Sequence, residues 1–159
     1  MMGNMDDNDQ HDLRGIIPRS VRHIFSCIDA QSGAKKFLVR CSYLEIYNEM
    51  ILDLLTHFAT GGKQAHNVGE NLKIKEDPNK GIFVQDLTHV IVKSVPELEK
   101  LLMAGIKNRK VGETAMNKDS SRSHSIFTIY IETAEDAENG EQKFKAGKLN
   151  LVDLAGSER

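Results

Sequence analysis

Long apolar runs, clustered cysteines and an excess of either charge are all missing from this 159-residue chain. No apolar stretch approaches the length a membrane-spanning helix needs. The first residues, MMGNMDDNDQHDLR, are acidic and lack the basic flank and apolar core of a secretory signal. Cys27 and Cys41 stand alone, without ligand-like spacing to each other or to histidine. A disulfide framework and a zinc site are therefore not expected; buried free thiols in a reducing, cytosolic setting are. Lys and Arg number 21 against 23 Asp and Glu, for a formal net charge of −2. That balance gives neither nucleic acid nor an anionic membrane an electrostatic footprint to recognise. Internal repeats and low-complexity tracts are absent as well.

What is present suits one soluble domain: 40% hydrophobic and 28% charged residues over a length able to bury a substantial core. Residues 1–14 read as an acidic loop or frayed tail, and residues 15–159 as the folded part. A helix is predicted from Gly15-Ile16-Ile17-Pro18 to Gln31-Ser32-Gly33, with Pro18 pre-setting φ in its first turn. Ile17, Val21, Ile24, Phe25 and Ile28 form its apolar face. Lys36–Tyr47 predicts a long strand, apolar on both faces and so central in a sheet covered on both sides. Met50–Leu55 reads as a short helical turn and residues 56–70 as a surface loop. A hairpin is predicted around Asp77-Pro78-Asn79-Lys80-Gly81. Ser94 and Glu97 form a capping-box pattern opening a helix with Leu98, Leu101, Leu102 and Ile106 inward. Gly105 or Gly112 is expected to interrupt it. Ile126–Glu132 alternates as a strand, Asn139-Gly140 signals a turn, and Leu149–Val152 is a last strand.

Asn117-Lys118-Asp119-Ser120-Ser121-Arg122-Ser123-His124-Ser125 concentrates four hydroxyls, a guanidinium and an imidazole just before a strand. Hydroxyl oxygens suit a hard cation such as magnesium, and Arg stabilises a phosphate or clamps a carboxylate. A solvated Ser-rich turn accounts for the same composition. The second feature is an apolar strand ending in Asp153-Leu154-Ala155-Gly156. In nucleotide hydrolases an Asp so placed supports magnesium, and the nearby Gly lets a backbone N–H approach a terminal phosphate. Alone, the pattern also describes ordinary turns; together, the two loops can supply complementary halves of one site.

Asn117-x-x-Ser120-Ser121-Arg122-Ser123-His124 and Asp153-Leu-Ala-Gly-Ser-Glu158 resemble the two switch motifs of the kinesin motor domain. Gly15-Ile-Ile-Pro-Arg, Ser42-Tyr-Leu-Glu-Ile-Tyr-Asn-Glu49 and Asp53-Leu-Leu55 are similar to further kinesin signatures in the matching order. Met116–His124 and Gly147–Asp153 look most like the kinesin-2 branch, the intraflagellar-transport motors. The resemblance implies an α/β fold of P-loop NTPase type, a partial kinesin-type mixed sheet flanked by helices. It implies an ATP-dependent microtubule motor with ATP and Mg2+ as cofactors, microtubules (tubulin) as partner, and neither nucleic acid nor membrane. It places the protein in the cytoplasm on the cytoskeleton, with the cilium as a further site, and implies oligomerisation through a stalk. By the same resemblance Ser121 ligates magnesium, Ser120 helps hold the attacking water and Asp153 supports the metal. Gly156 contacts the γ-phosphate, Asn117 shapes the loop or contacts phosphates, and Arg122 pairs with Glu158 when the switches close. His124 is expected to be structural. The turn around Lys80 resembles a secondary tubulin-contacting loop, although its mixed charges fit a solvated turn equally.

One kinesin component has no counterpart in these residues. A phosphate cradle requires G-x-x-x-x-G-K-[ST], whereas Gly61-Gly62-Lys63 runs into Gln64 and Gly147-Lys148 into Leu149. In kinesins the cradle is followed by Thr-Met-x-Gly, and Met1-Met2-Gly3 looks like the tail of that segment. The resemblance thus implies the middle half of a motor domain, beginning after the cradle and stopping before the main microtubule-binding helices. Such a piece is expected to be inactive alone, and Leu149–Val152 is expected to present an unpaired, aggregation-prone edge. The alternative is a catalytically dead kinesin-like remnant acting as a binding or scaffold module.

Overall fold

Twelve residues, Lys36–Tyr47, form strand β1, and the rest of the structure is arranged around it. The computed structural model describes residues 15–33, 35–59, 71–78, 81–116, 122–136 and 141–156. Before β1 runs helix α1 (Ile16–Gln31), which buries Ile17, Val21 and Phe25 as its periodicity predicts. Ser32 Oγ donates to the Asp29 carbonyl at 2.9 Å, satisfying one carbonyl of the last turn.

After β1 the chain turns back at once. Asn48 and Glu49 have φ of 48° and 62°, both left-handed. A two-residue turn of that kind matches strand twist, and it pairs Tyr47 with Met50. Strand β2 (Met50–Asp53) thus replaces the helical turn expected from Met50 to Leu55. A helical turn, α2, comes later, at Thr56–Ala59. The predicted hairpin forms from β3 (Ile74–Asp77) and β4 (Gly81–Val84), with Gly81 at φ 72°.

Strand β5 (Val90–Val92) pairs with β1 and leads into helix α3 (Val95–Met116). The capping box forms in part: Glu97 N–H donates to Ser94 Oγ at 3.4 Å, and Glu97 Oε2 accepts from the Lys93 N–H at 2.8 Å. Leu98, Leu101 and Leu102 are buried. Neither Gly105 nor Gly112 interrupts α3. Gly105 is there for a close approach instead, since a Cβ would lie 2.3 Å from Cδ1 of Tyr43.

Strands β6 (His124–Asp136) and β7 (Gln142–Asp153) form a ribbon longer at both ends than the alternating core of each predicts. The sheet order is β2-β1-β6-β7, with β5 also on β1, and each of these pairings is antiparallel. β1 is central, as expected. Helices α1 and α3 pack on one face, over Val39, Cys41 and Tyr43, with Tyr43 edge-on to Phe127 at 5.5 Å. The other face is covered only in part, by the β3–β4 hairpin, so the double covering expected for β1 is incomplete among the described residues. β7 pairs with β6 alone among the described strands and exposes Phe144, Leu149 and Val152. Both thiols are free, but only Cys41 is buried; Cys27 is exposed on α1, contrary to expectation. The α/β class itself, a sheet with helices packed on it, is as the sequence predicts.

Candidate functional site

Antiparallel pairing fixes which residues meet at the end of the ribbon. Glu45 of β1 lies opposite Ser125 of β6, and Ser125 lies opposite Asp153 of β7. Directly opposed residues share a face, so these three line up on the helix-covered side. The end of the hydroxyl-rich loop and the start of the Asp-x-x-Gly segment therefore sit side by side.

Arg109 of α3 ties this row together. Its Nε donates to Glu45 Oε1 at 3.2 Å and its Nη2 to Ser123 Oγ at 2.9 Å. Nη1 reaches Ser125 Oγ at 3.5 Å and lies 4.0 Å from Asp153 Oδ2. Glu45 and Ser123 are each only 1% exposed. A carboxylate so buried requires a charged, hydrogen-bonded partner, and a forked guanidinium supplies one while keeping donors for neighbours. Burial pushes the Tyr43 phenol pKa up; its hydrogen bond with Ser125 and the charge of Arg109 pull the other way. A second polar link holds the two segments: the Ala155 N–H donates to His124 Nδ1 at 3.0 Å.

Of the residues singled out in the sequence, Arg122, Asp153 and Gly156 are described. Asp153 ends β7 with its side chain 47% exposed, and Gly156 and Arg122 are exposed. Asn117, Ser120, Ser121 and Glu158 lie outside the described residues, so the Arg122–Glu158 pairing does too. Arg109 and Glu45 were missed as members of the site. One signal was available: Glu45 is the lone acid in a strand apolar on both faces, and a charge there demands a partner.

The described oxygen donor open to solvent is the half-exposed carboxylate of Asp153; the Ser123 and Ser125 hydroxyls nearby are buried and bonded to Arg109. Among the described residues no group of three or more His, Cys, Asp or Glu could cage a metal. Magnesium suits this arrangement, because it keeps several waters and takes one or two carboxylates together with substrate phosphates.

Comparison with known proteins points to one family. The family model for the kinesin motor domain matches residues 1–159. Kinesin-like protein KIF3C of Pongo abelii, and its counterparts in Mus musculus and Rattus norvegicus, are each 45% identical over 148 residues. Those alignments cover 93% of this chain and 17% of each relative. A solved structure described as a fast kinesin superposes with a TM-score of 0.83 at 42% identity, covering all of this chain and 41% of that one. The chain thus spans well under half the length of the proteins it matches.

Proposed function

Since the chain belongs to the kinesin motor-domain family, we propose that it carries the switch portion of an ATP-dependent microtubule motor. The observation that supports this most is the row Glu45–Ser125–Asp153 gathered by Arg109, which sets both loops at one end of adjacent strands. In this reading Ser121 and Asp153 hold Mg2+, Ser120 positions the attacking water, and Gly156 offers its N–H to the γ-phosphate. Asn117 shapes the first loop or contacts the phosphates. Mg2+ held there would supply positive charge to offset that of the terminal phosphates. Arg122 closes on Glu158 when the loops order around ATP, and the pair relaxes after hydrolysis, giving a two-state element that nucleotide biases. Microtubules, a cytoskeletal and ciliary location, and a stalk that oligomerises the longer protein belong to the same proposal.

The 159 residues contain no G-x-x-x-x-G-K-[ST], so by themselves they are expected to bind a fluorescent ATP analogue negligibly with magnesium present. One other reading is a kinesin-like scaffold without catalysis. Microtubule-stimulated ATP turnover by the longest protein containing these residues decides between them. The motor reading expects turnover that Arg122→Ala lowers on the order of 100-fold or more. Absence of turnover, or turnover indifferent to Arg122→Ala, would sink it.

A further inference from the structure

We propose that His124 is a positioning residue that fixes the backbone leading to Gly156. The last backbone pair of the β6–β7 ladder at this end is Ser125 with Asp153. Past it, the Ala155 N–H donates to His124 Nδ1, so an imidazole supplies the acceptor where strand pairing stops. Acceptance at Nδ1 places the ring proton on Nε2.

This bond anchors the Leu154–Ala155 peptide plane, and each residue has only φ and ψ as soft dihedrals. With the anchor, only the φ and ψ of Ala155 separate the Gly156 N–H from a fixed plane. Without it, those of Leu154 are freed as well. His124 is itself well held: it opens β6 opposite Ile46 of β1, and its neighbours Ser123 and Ser125 are bonded by Arg109. The first loop's end thus passes its position to the second loop through one side chain. What the Gly156 N–H is positioned for rests on the motor reading; the anchor does not.

Two variants separate the acceptor from the ring's bulk. His124→Asn keeps an acceptor near the Nδ1 position and loses much of the ring, whereas His124→Leu keeps bulk and loses the acceptor. Hydrogen exchange on the whole chain reads the result, with the Phe127 and Ile129 amides as internal reference for folding. The Ala155 amide should exchange roughly fivefold to tenfold faster in His124→Leu and near the wild-type rate in His124→Asn. The Gly156 amide should lose order only in His124→Leu. If His124→Leu does not fold, the wild type decides: a scalar coupling through the hydrogen bond should join the Ala155 nitrogen to His124 Nδ1. Absence of that coupling overturns the proposal. So does wild-type protection of Ala155 or an unchanged Gly156 in a folded His124→Leu, or loss of protection in His124→Asn. An anchor demonstrated here, together with absence of ATP turnover in the longest protein containing these residues, would refute the motor reading and leave the anchor standing.

Discussion

The two faces of the β1–β6–β7 sheet come from the same strands and reach opposite environments. Toward the helices stand the rows Cys41–Ile129–Leu149, Tyr43–Phe127–Leu151 and Glu45–Ser125–Asp153. Away from them stand Leu44–Ile126–Val152, Ser42–Thr128–Asn150 and Arg40–Tyr130–Lys148. On the first face α1 and α3 exclude water from the β1 and β6 core, and Arg109, only 15% exposed, bonds the buried Glu45, Ser123 and Ser125. On the second a cavity of about 790 Å3 remains between the sheet and the β3–β4 hairpin. The polar groups on this side form separate pairs rather than one network: Arg40 with Glu132, Thr128 Oγ1 with Asn150 Oδ1 at 3.0 Å, and Lys148 over the Tyr130 ring at 5.4 Å. His89, edge-on to Tyr130, has its pKa lowered by partial burial first and by the charge of Arg40 second. The difference teaches where a precise site can be built. The candidate site lies at the end of the closed face, where Glu45, Ser123 and Ser125 together hold the Arg109 guanidinium.

Arg109 offers the sharpest way to break this comparison. Arg109→Met keeps much of the volume but leaves Glu45 without its guanidinium, and should cost about 3–5 kcal/mol in a denaturant melt. A loss no greater than that of a surface ion pair would erase the distinction between the faces. Cys41 tests the dryness of the closed face through pH. Burial pushes its thiol up from an ordinary 9.0 to about 12. The folded state keeps this proton after the unfolded chain has released it, so the contribution is intact below about pH 9 and lost as pH rises toward 12. Within that window the wild type should lose about 1.4 kcal/mol per pH unit, a slope missing from Cys41→Ala. An identical pH dependence in the two would show that water reaches Cys41. Glu132→Gln should do least. Its partner and it are 37% and 43% exposed, so the expected loss is below about 1 kcal/mol. A loss matching that of Arg109→Met would make the open face as demanding as the closed one.

Periodicity made much of this legible. Helix α1 and strand β1 begin and end close to where apolar spacing places them, because burial of one face dictates that spacing. Strand β2 was not legible from Met-Ile-Leu-Asp, a short apolar run without a period. What decides it is the left-handed pair Asn48-Glu49, which sends the chain back along β1. Gly105 reads as a helix breaker in isolation and becomes a packing requirement once Tyr43 lies against it. Cys27, on the exposed side of α1, shows that a thiol's residue type does not settle its burial. At the site, Asp153 and Gly156 announce themselves by local motif. Arg109 and Glu45 are 64 residues apart, and only the fold brings them together.

The account's central claim is that two loops close as one unit around a phosphate, with Arg122 and Glu158 as the latch. A double-mutant cycle on ATP turnover, in the longest protein containing these residues, tests it most directly. If the latch acts as one device, Arg122→Ala and Glu158→Ala each lower turnover on the order of 100-fold, and the double variant is no worse than either. Losses that multiply independently would contradict it.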